Sequence, residues 1–220
     1  ESSKGIIGTA TLIAPNILVT AAHVVRNSLG DPLPLGSDWQ FILAEDFDQA
    51  DESQIFKISK FEIHPAWTAR QTDGYNDGMG DGDRIGVDLC LGFLESDIIE
   101  IYPFSLPESG LEAVGDRIVV AGFGTQVDGA DGLHSSKNSK RLAGENIVDR
   151  IVEKVIISSL PEEYWGGLLA VDFDSPQGNT NLLGSAYAVV DYLGTGDSDP
   201  APLAFEVSTA VGDSGGPAMI

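Results

Sequence analysis

Short apolar runs, rich in β-branched residues, recur along the chain between clusters of Gly, Pro, Asp and Asn. The clearest runs are Ala10–Ala14, Asn16–Thr20, Phe41–Ala44, Ile55–Ile58, Ile118–Gly122, Val152–Ile157, Leu168–Phe173 and Ala186–Val190. This pattern is typical of the strands of antiparallel barrels or a sandwich. Helix signals are weak, and the best candidates are a turn after His23 and a short segment at Pro161–Trp165. The pattern therefore predicts an all-β protein.

Two kinds of segment interrupt the strand pattern. Pro103 to Pro107 lies between two strand-rich halves and indicates a linker, which predicts domains at residues 1–107 and 108–220. Thr72–Asp83 consists mostly of Gly, Asp and Asn, and Asp191–Pro202 is a second acidic segment. Both are predicted to be loops, because such residues favour turns over strand or helix interiors.

Composition narrows the choice of partners. A chain of 220 residues with 42% hydrophobic and 21% charged residues can bury a core and fold. The net charge of −22 argues against nucleic acid or an anionic membrane surface as a partner, since both bind clustered Lys and Arg. Apolar runs are also too short for a membrane span. Cys90 is the one cysteine, so an intrachain disulfide is excluded, and we expect Cys90 to be a small core residue.

The hexapeptide at 212–217 (GDSGGP) carries the strongest chemical signal. Glycines beside a serine allow the backbone to approach a substrate and to adopt conformations closed to residues with a Cβ. Amides around such a turn can converge on one point, as the stabilisation of an oxyanion requires. The motif therefore indicates that Ser214 is a nucleophile.

A serine nucleophile needs a base, and the base needs a group that holds its tautomer. His23 follows the apolar run that ends in Thr20 and two alanines, which places an imidazole at a strand end. Asp88 is flanked by apolar residues and is predicted to lie within a strand, where it needs a partner such as a histidine N–H. His64 and His134 are interpreted as loop or strand-edge residues outside the chemistry.

These motifs, in the order His, Asp, Ser, resemble the trypsin/chymotrypsin-like serine protease family, in a disulfide-free bacterial type. The segments at 20–23 (TAAH), 88–91 (DLCL) and 212–217 carry the resemblance, and 122–125 (GFGT) resembles the motif that opens the family's second barrel. The resemblance spans about Gly8 to Pro217. It implies two antiparallel six-stranded β-barrels with the site between them.

The resemblance also implies a role for each site residue. Ser214 attacks the scissile carbonyl, His23 acts as general base and then general acid, and Asp88 orients His23. The N–H groups of Gly212 and Ser214 form the oxyanion hole. No cofactor is required, and the expected partner is a protein or peptide substrate. The expected location is secreted or periplasmic, although the first residues are not a signal peptide.

Both ends of the chain depart from the family pattern. The resemblance implies that Asp213 pairs with an α-amino group freed by cleavage, but Ile6 lies too close to His23 to be that terminus. Either upstream residues are missing or Asp213 has another partner. After Ser214 the family has further strands, so the second barrel is expected to be incomplete here. We expect the remainder as a separate chain, a segment outside the printed sequence or a deleted tail.

Specificity and metal binding leave alternatives open. By the family's spacing, Ser208 lies at the base of the primary substrate pocket, which argues against selection of Lys or Arg. Glu206 either adds a negative charge to the pocket or has a structural role. A structural calcium is one interpretation of the acidic loop, since calcium prefers several oxygen ligands on a flexible loop, and a solvated flap is the other. The candidate calcium ligands are Asp73, Asp77, Asp81 and Asp83.

The leading hypothesis is a serine endopeptidase that forms an acyl-enzyme. Alternatives are an inactive clipped or zymogen form and a protease-like module used for binding. An esterase of the α/β-hydrolase type is disfavoured, because its triad runs Ser, Asp, His and its serine lies in Gly-x-Ser-x-Gly. Serine-directed labelling distinguishes the enzyme from the binding module.

Overall fold

Antiparallel strands make up most of the regular structure in the computed structural model of this chain. The model describes residues 7–25, 39–72, 86–106, 110–127, 135–136, 139–154, 162, 166–176, 180–184 and 198–220. The strands of the described residues are β1 (Thr11–Ala14), β2 (Ile17–Thr20), β3 (Gln40–Ile42), β4 (Ile55–Ile63), β5 (Cys90–Leu94), β6 (Arg117–Gly122), β7 (Gln126–Val127), β8 (Ser135–Ser136), β9 (Leu142–Ile147), β10 (Arg150–Val152), β11 (Leu168–Ala170) and β12 (Ala218–Met219). The prediction of an all-β protein is confirmed for the described residues.

The first half of the chain forms a five-stranded antiparallel sheet in the order β1-β2-β5-β4-β3. Its register pairs Thr20 with Cys90 and Ile63 with Cys90, so the ends of β2 and β4 meet at the start of β5. Register shifts in β1 and in β4 mark bulges. Bulges bend a strand and increase its twist, which lets this sheet curl like half of a barrel.

The second half places the serine motif beside its own sheet. β12 pairs with β6, and β6 pairs with β9, in a three-stranded antiparallel sheet. β10 pairs with β11, and β7 with β8, in two smaller ribbons. Because β12 begins at Ala218, the sheet holds the chain four residues after Ser214. The two six-stranded barrels and the boundary after residue 107 stay predictions.

Helix is limited in the described residues to α1 (Pro65–Thr72) and three short 3₁₀ turns. The strand pattern did not predict α1. Pro65 occupies the first helical position, where its fixed φ and missing N–H cost little. The Nδ1 atom of His64 accepts the Ala66 N–H at 3.3 Å, and Ala66 and Trp67 are buried in the core. No helix in the described part of the chain is long and apolar enough to cross a membrane.

A hydrophobic core lies directly beneath the end of β2. Its buried residues are Ala21, Ala22, Val24, Val25, Trp39, Ala66, Trp67, Val87 and Cys90. The Cys90 side chain is buried and forms no disulfide, which confirms its prediction as a small core residue. This core packs the chain on both sides of His23 and therefore sets the direction of its imidazole.

Candidate active site

His23 projects from a 3₁₀ turn, Ala22–Val25, that follows β2. Its neighbours Ala22 and Val24 are buried, whereas 40% of the His23 side chain is exposed. The small alanine before His23 lets the turn lie flat on the core, and the Val24 N–H closes it with a 3.3 Å bond to the Ala21 carbonyl. The prediction of a turn at His23 is confirmed.

Asp88 lies in the loop immediately before β5, so its prediction within a strand is wrong. The Leu89 N–H donates to the Val87 carbonyl at 2.8 Å, which makes a three-residue turn centred on Asp88. The turn directs the carboxylate towards His23. Alternating apolar neighbours suggested a strand, but the strand pairing begins at Cys90.

The Asp88 carboxylate holds His23 at two points. Oδ2 lies 2.5 Å from Nδ1 of the imidazole, and Oδ1 accepts the His23 backbone N–H at 2.9 Å. Asp88 therefore has His23 as a partner, at both the imidazole and the backbone. With a proton on Nδ1 directed to the carboxylate, the lone pair of Nε2 is available on the opposite side of the ring.

Ser214 lies on that opposite side. Its Oγ is 2.8 Å from Nε2 of His23, so carboxylate, imidazole and hydroxyl form one continuous chain of hydrogen bonds. Along the sequence, Asp88 is 65 positions and Ser214 is 191 positions from His23. Folding thus brings the three sequence-predicted residues within hydrogen-bonding distance of one another.

The backbone around Ser214, here called the nucleophile loop (Val211–Gly216), is held through the carbonyl groups of Val211 and Asp213. The Val211 carbonyl accepts the Thr125 N–H at 2.8 Å, and the Asp213 carbonyl accepts the Gly216 N–H at 2.7 Å. In a trans peptide the N–H points opposite to the carbonyl, so the Gly212 and Ser214 N–H groups point away from those bonds. Neither N–H has an acceptor among the described residues.

Asp213 supports the nucleophile loop from behind. Its carboxylate accepts the Gly124 N–H at 2.7 Å and the Ala210 N–H at 3.0 Å. A Cβ on Gly122 or on Gly124 would lie 2.2 Å from a carboxylate oxygen of Asp213, so both glycines are needed for this approach. Residues 1–6 are outside the described ranges, and within those ranges the carboxylate of Asp213 has two backbone N–H groups as its partners.

A cavity of about 860 Å³ lies beside the nucleophile loop, and both Ser208 and Glu206 line it. The Glu206 carboxylate is engaged on both oxygens: Oε1 accepts the Asp174 N–H, and Oε2 accepts the Leu203 N–H at 2.6 Å. These bonds favour the structural role over a free negative charge in a pocket. The assignment of Ser208 to the base of a substrate pocket stays a prediction.

Three buried aspartates lie near Glu206. Asp149, Asp172 and Asp174 are each at most 6% exposed, and the Asp172 N–H donates to Asp149 Oδ2 at 3.1 Å. Burial raises the pKa of Asp149 to about 7, with the charges of Asp172 and Asp174 acting in the same direction and the Asp172 N–H bond opposing them. Burial, followed by the charges of Asp172, Glu206 and Asp199, raises the pKa of Asp174 to about 6.

These raised pKa values predict that the protein loses stability as the pH rises from about 4 to about 7. In that window folded Asp149 retains a proton that the unfolded chain releases, so the free energy of unfolding falls with increasing pH. We expect Asp149→Asn, which resembles the protonated carboxyl, to flatten the dependence of Tm on pH between about pH 4 and about pH 7. Thermal unfolding followed by circular dichroism measures this, with the exposed residue Asp97 providing the control Asp97→Asn. An unchanged slope in Asp149→Asn contradicts the prediction.

The remaining candidates do not join the site. His64 donates its backbone N–H to Leu89 and caps α1, and burial lowers its pKa, so it acts as a structural residue. His134 lies outside the described residues. The acidic loop with Asp73, Asp77, Asp81 and Asp83 also lies outside them, and calcium binding there stays a prediction. Within the described ranges, no group of three or more His, Cys, Asp and Glu residues could hold a metal ion.

Sequence reasoning missed the contacts of three threonines with the nucleophile loop. Thr125 donates its N–H to the Val211 carbonyl, and the Thr11 hydroxyl donates to the Gly215 carbonyl at 3.4 Å. Buried Thr9 donates to the carbonyls of Gly212 and Ser214. The one signal for Thr9 is a polar residue between apolar Ile7 and the first strand. A single threonine in such a position is common, so the sequence could not distinguish it from a surface residue.

Comparison with known protein families identifies the family of this chain. The family model described as Trypsin matches residues 1–150, which include His23 and Asp88. Ser214 lies beyond the matched segment. No curated protein matches the chain. Because the matched segment covers more than half of the 220 residues, the chain belongs to the trypsin family of serine proteases.

Proposed function

We propose that this chain is a serine endopeptidase that hydrolyses peptide bonds of protein or peptide substrates. The observation that carries the proposal is the unbroken chain of hydrogen bonds from Asp88 through His23 to Ser214. Family membership supports the same class of hydrolase. The proposed framework is a pair of antiparallel barrels, residues 1–107 and 108–220, and the proposed setting is secreted or periplasmic.

Each residue has a defined task in the proposed reaction. As Ser214 Oγ attacks the carbonyl carbon, its proton passes to Nε2 of His23, and the carbonyl electron pair becomes an oxyanion. The N–H groups of Gly212 and Ser214 donate to that oxyanion. The imidazolium then gives its proton to the leaving amine, and the acyl-enzyme remains on Ser214. A water molecule then attacks the ester carbonyl while His23 accepts its proton. The bond between the acyl carbon and Ser214 Oγ breaks, His23 returns the proton to Oγ, and the carboxylic acid product leaves.

Asp88 makes this transfer possible at neutral pH. Its negative charge stabilises the imidazolium, and its contact with Nδ1 keeps Nε2 directed at the hydroxyl. The second bond, to the His23 backbone, fixes the turn that carries the ring. The carboxylate therefore restrains both position and tautomer before a substrate arrives.

Labelling with a fluorophosphonate tests the proposal. The reagent forms a covalent bond to an activated serine, and we expect peptide mapping by mass spectrometry to place the adduct on Ser214. Ser214→Ala should lose the label. Ser59→Ala should keep it, because the Ser59 hydroxyl donates to the Phe93 carbonyl, away from the triad. Cleavage of a mixed peptide library, followed by mass spectrometry, then reports the bonds that are hydrolysed.

An unlabelled but folded wild-type protein contradicts the proposal. That result, together with retained binding to peptides, identifies the chain as a protease-like binding module. Labelling at Ser214 without cleavage of any peptide supports an activated serine but contradicts endopeptidase activity.

A further inference from the structure

Thr9 is a buried polar residue that precedes β1 and makes hydrogen bonds to both halves of the chain. Only 5% of its surface is exposed. Its carbonyl accepts the Thr20 hydroxyl at 2.7 Å, which ties it to the strand leading to His23. Its N–H donates to the Ser214 carbonyl at 2.9 Å. The Thr9 backbone therefore connects the histidine side of the site to the nucleophile.

The Thr9 hydroxyl uses both of its hydrogen-bonding functions. Oγ1 donates to the Gly212 carbonyl at 2.8 Å and accepts the Phe123 N–H at 3.1 Å. A hydroxyl is the smallest side-chain group that can donate and accept at once. A carbonyl and an N–H, both partly buried, are thus satisfied by one side chain.

The Gly212 carbonyl, which accepts the Thr9 hydroxyl, belongs to the middle one of three consecutive peptide units between Val211 and Ser214. The peptide before it is held through the Val211 carbonyl and Thr125, and the peptide after it through the Asp213 carbonyl and Gly216. Those two flanking peptides carry the N–H groups of Gly212 and Ser214. An uncompensated rotation about the bonds on either side of the middle peptide would turn the two flanking peptides relative to each other, and with them the N–H groups of Gly212 and Ser214.

Gly212 has little intrinsic preference for this orientation. Its φ is +106°, in a region that glycine enters as readily as its mirror image. Contacts outside Gly212 must therefore select the conformation of the middle peptide. The Asp213 N–H donates to the Ala210 carbonyl at 3.0 Å, and Thr9 Oγ1 donates to the Gly212 carbonyl at 2.8 Å.

We infer that Thr9 is a positioning residue, whose hydroxyl fixes the middle peptide of the nucleophile loop and so aims both oxyanion-hole N–H groups. This inference rests on the proposed function and names a residue beyond the triad. Thr9 does not touch the reacting atoms. It acts through Gly212, and a side chain of the same shape without a hydroxyl cannot replace it.

The test compares Thr9→Val, Thr9→Ser and Thr180→Val by the rate of fluorophosphonate labelling at Ser214. Valine keeps the shape but removes the hydroxyl, so we expect labelling to slow about 10²-fold, the effect of a misaligned site. Serine keeps the hydroxyl and should stay within a few-fold of wild type. Thr180→Val is the matched control: its hydroxyl accepts the Ser175 N–H at 2.7 Å and touches neither the triad nor the nucleophile loop.

Labelling rates are measured well below the Tm of every variant, so that slow labelling reports a misaligned nucleophile loop and not unfolded protein. Slow labelling in Thr9→Val, with Thr9→Ser and Thr180→Val near wild type, supports the inference. Wild-type labelling by Thr9→Val overturns it, as does an equal loss in Thr9→Ser or in Thr180→Val. Failure of wild type itself to label contradicts the proposed function instead. If Thr9→Val does not fold, the labelling rate of Thr9→Ser decides. A rate within a few-fold of wild type supports the inference, because the hydroxyl is retained, and a slower rate overturns it.

Discussion

Replacement of His23 by alanine is expected to lower kcat for peptide hydrolysis about 10⁶-fold and to abolish fluorophosphonate labelling of Ser214. Nε2 is 2.8 Å from Ser214 Oγ, and within the described residues no other histidine reaches that hydroxyl. Without the imidazole the proton of Oγ has no acceptor, and the leaving amine has no donor. Hydrolysis of a fluorogenic peptide chosen from the library digest gives kcat and KM.

His64→Ala is the matched control for this experiment. His64 is also a histidine at the end of a strand in the same sheet, but its ring caps α1 instead of facing Ser214. We expect His64→Ala to lower Tm and to keep kcat within a few-fold of wild type. Hydrolysis by His23→Ala at more than one hundredth of the wild-type rate would mean that another base activates Ser214.

Replacement of Asp88 by asparagine is expected to lower kcat about 10⁴-fold while changing KM little. Oδ2 lies 2.5 Å from Nδ1 of His23, and an amide N–H in its place donates to Nδ1. The ring then carries its proton on Nε2, which directs a donor at Ser214 and cannot accept the Oγ proton. The imidazolium also loses the charge that stabilises it. Steady-state kinetics at neutral pH measure both effects.

Asp116→Asn provides the control for the loss of one negative charge. The Asp116 carboxylate accepts the Ala113 N–H at 2.7 Å in a turn outside the site. We expect that variant to hydrolyse peptides at the wild-type rate. An Asp88→Asn enzyme within tenfold of wild type would show that the carboxylate neither selects the tautomer nor stabilises the imidazolium.

Local sequence pattern predicted much of the first sheet but not its limits. Ile17–Thr20 was recognisable as a strand because its apolar residues are followed by small residues and a turn. β4 extends to Ile63, beyond the predicted Ile58, because pairing with β5 holds the exposed residues Lys60 and Glu62 in the strand. The bonds that extend it come from a segment about 30 residues away, which no local window contains.

The predicted strand at Asp88 and the missed helix α1 were wrong for the same reason. The sequence around Asp88 alternates like a strand, yet the chain turns there, since the carboxylate binds His23 and the Leu89 carbonyl accepts the His64 N–H. The α1 helix was missed because its stability comes from burial of Ala66 and Trp67, not from helix propensity. In both places long-range contacts outweigh local preference.

The sequence by itself determined the chemistry of the site. A histidine after small residues, an aspartate among apolar neighbours and a serine among glycines supply an imidazole, a carboxylate and a hydroxyl. Tertiary structure decided what these groups do together. It brought His23 and Ser214, 191 positions apart, within 2.8 Å, engaged Glu206 with two backbone amides, and placed the Thr9 hydroxyl on the Gly212 carbonyl. Side-chain identity sets what a group can donate or accept, whereas its partner depends on the packing of distant segments.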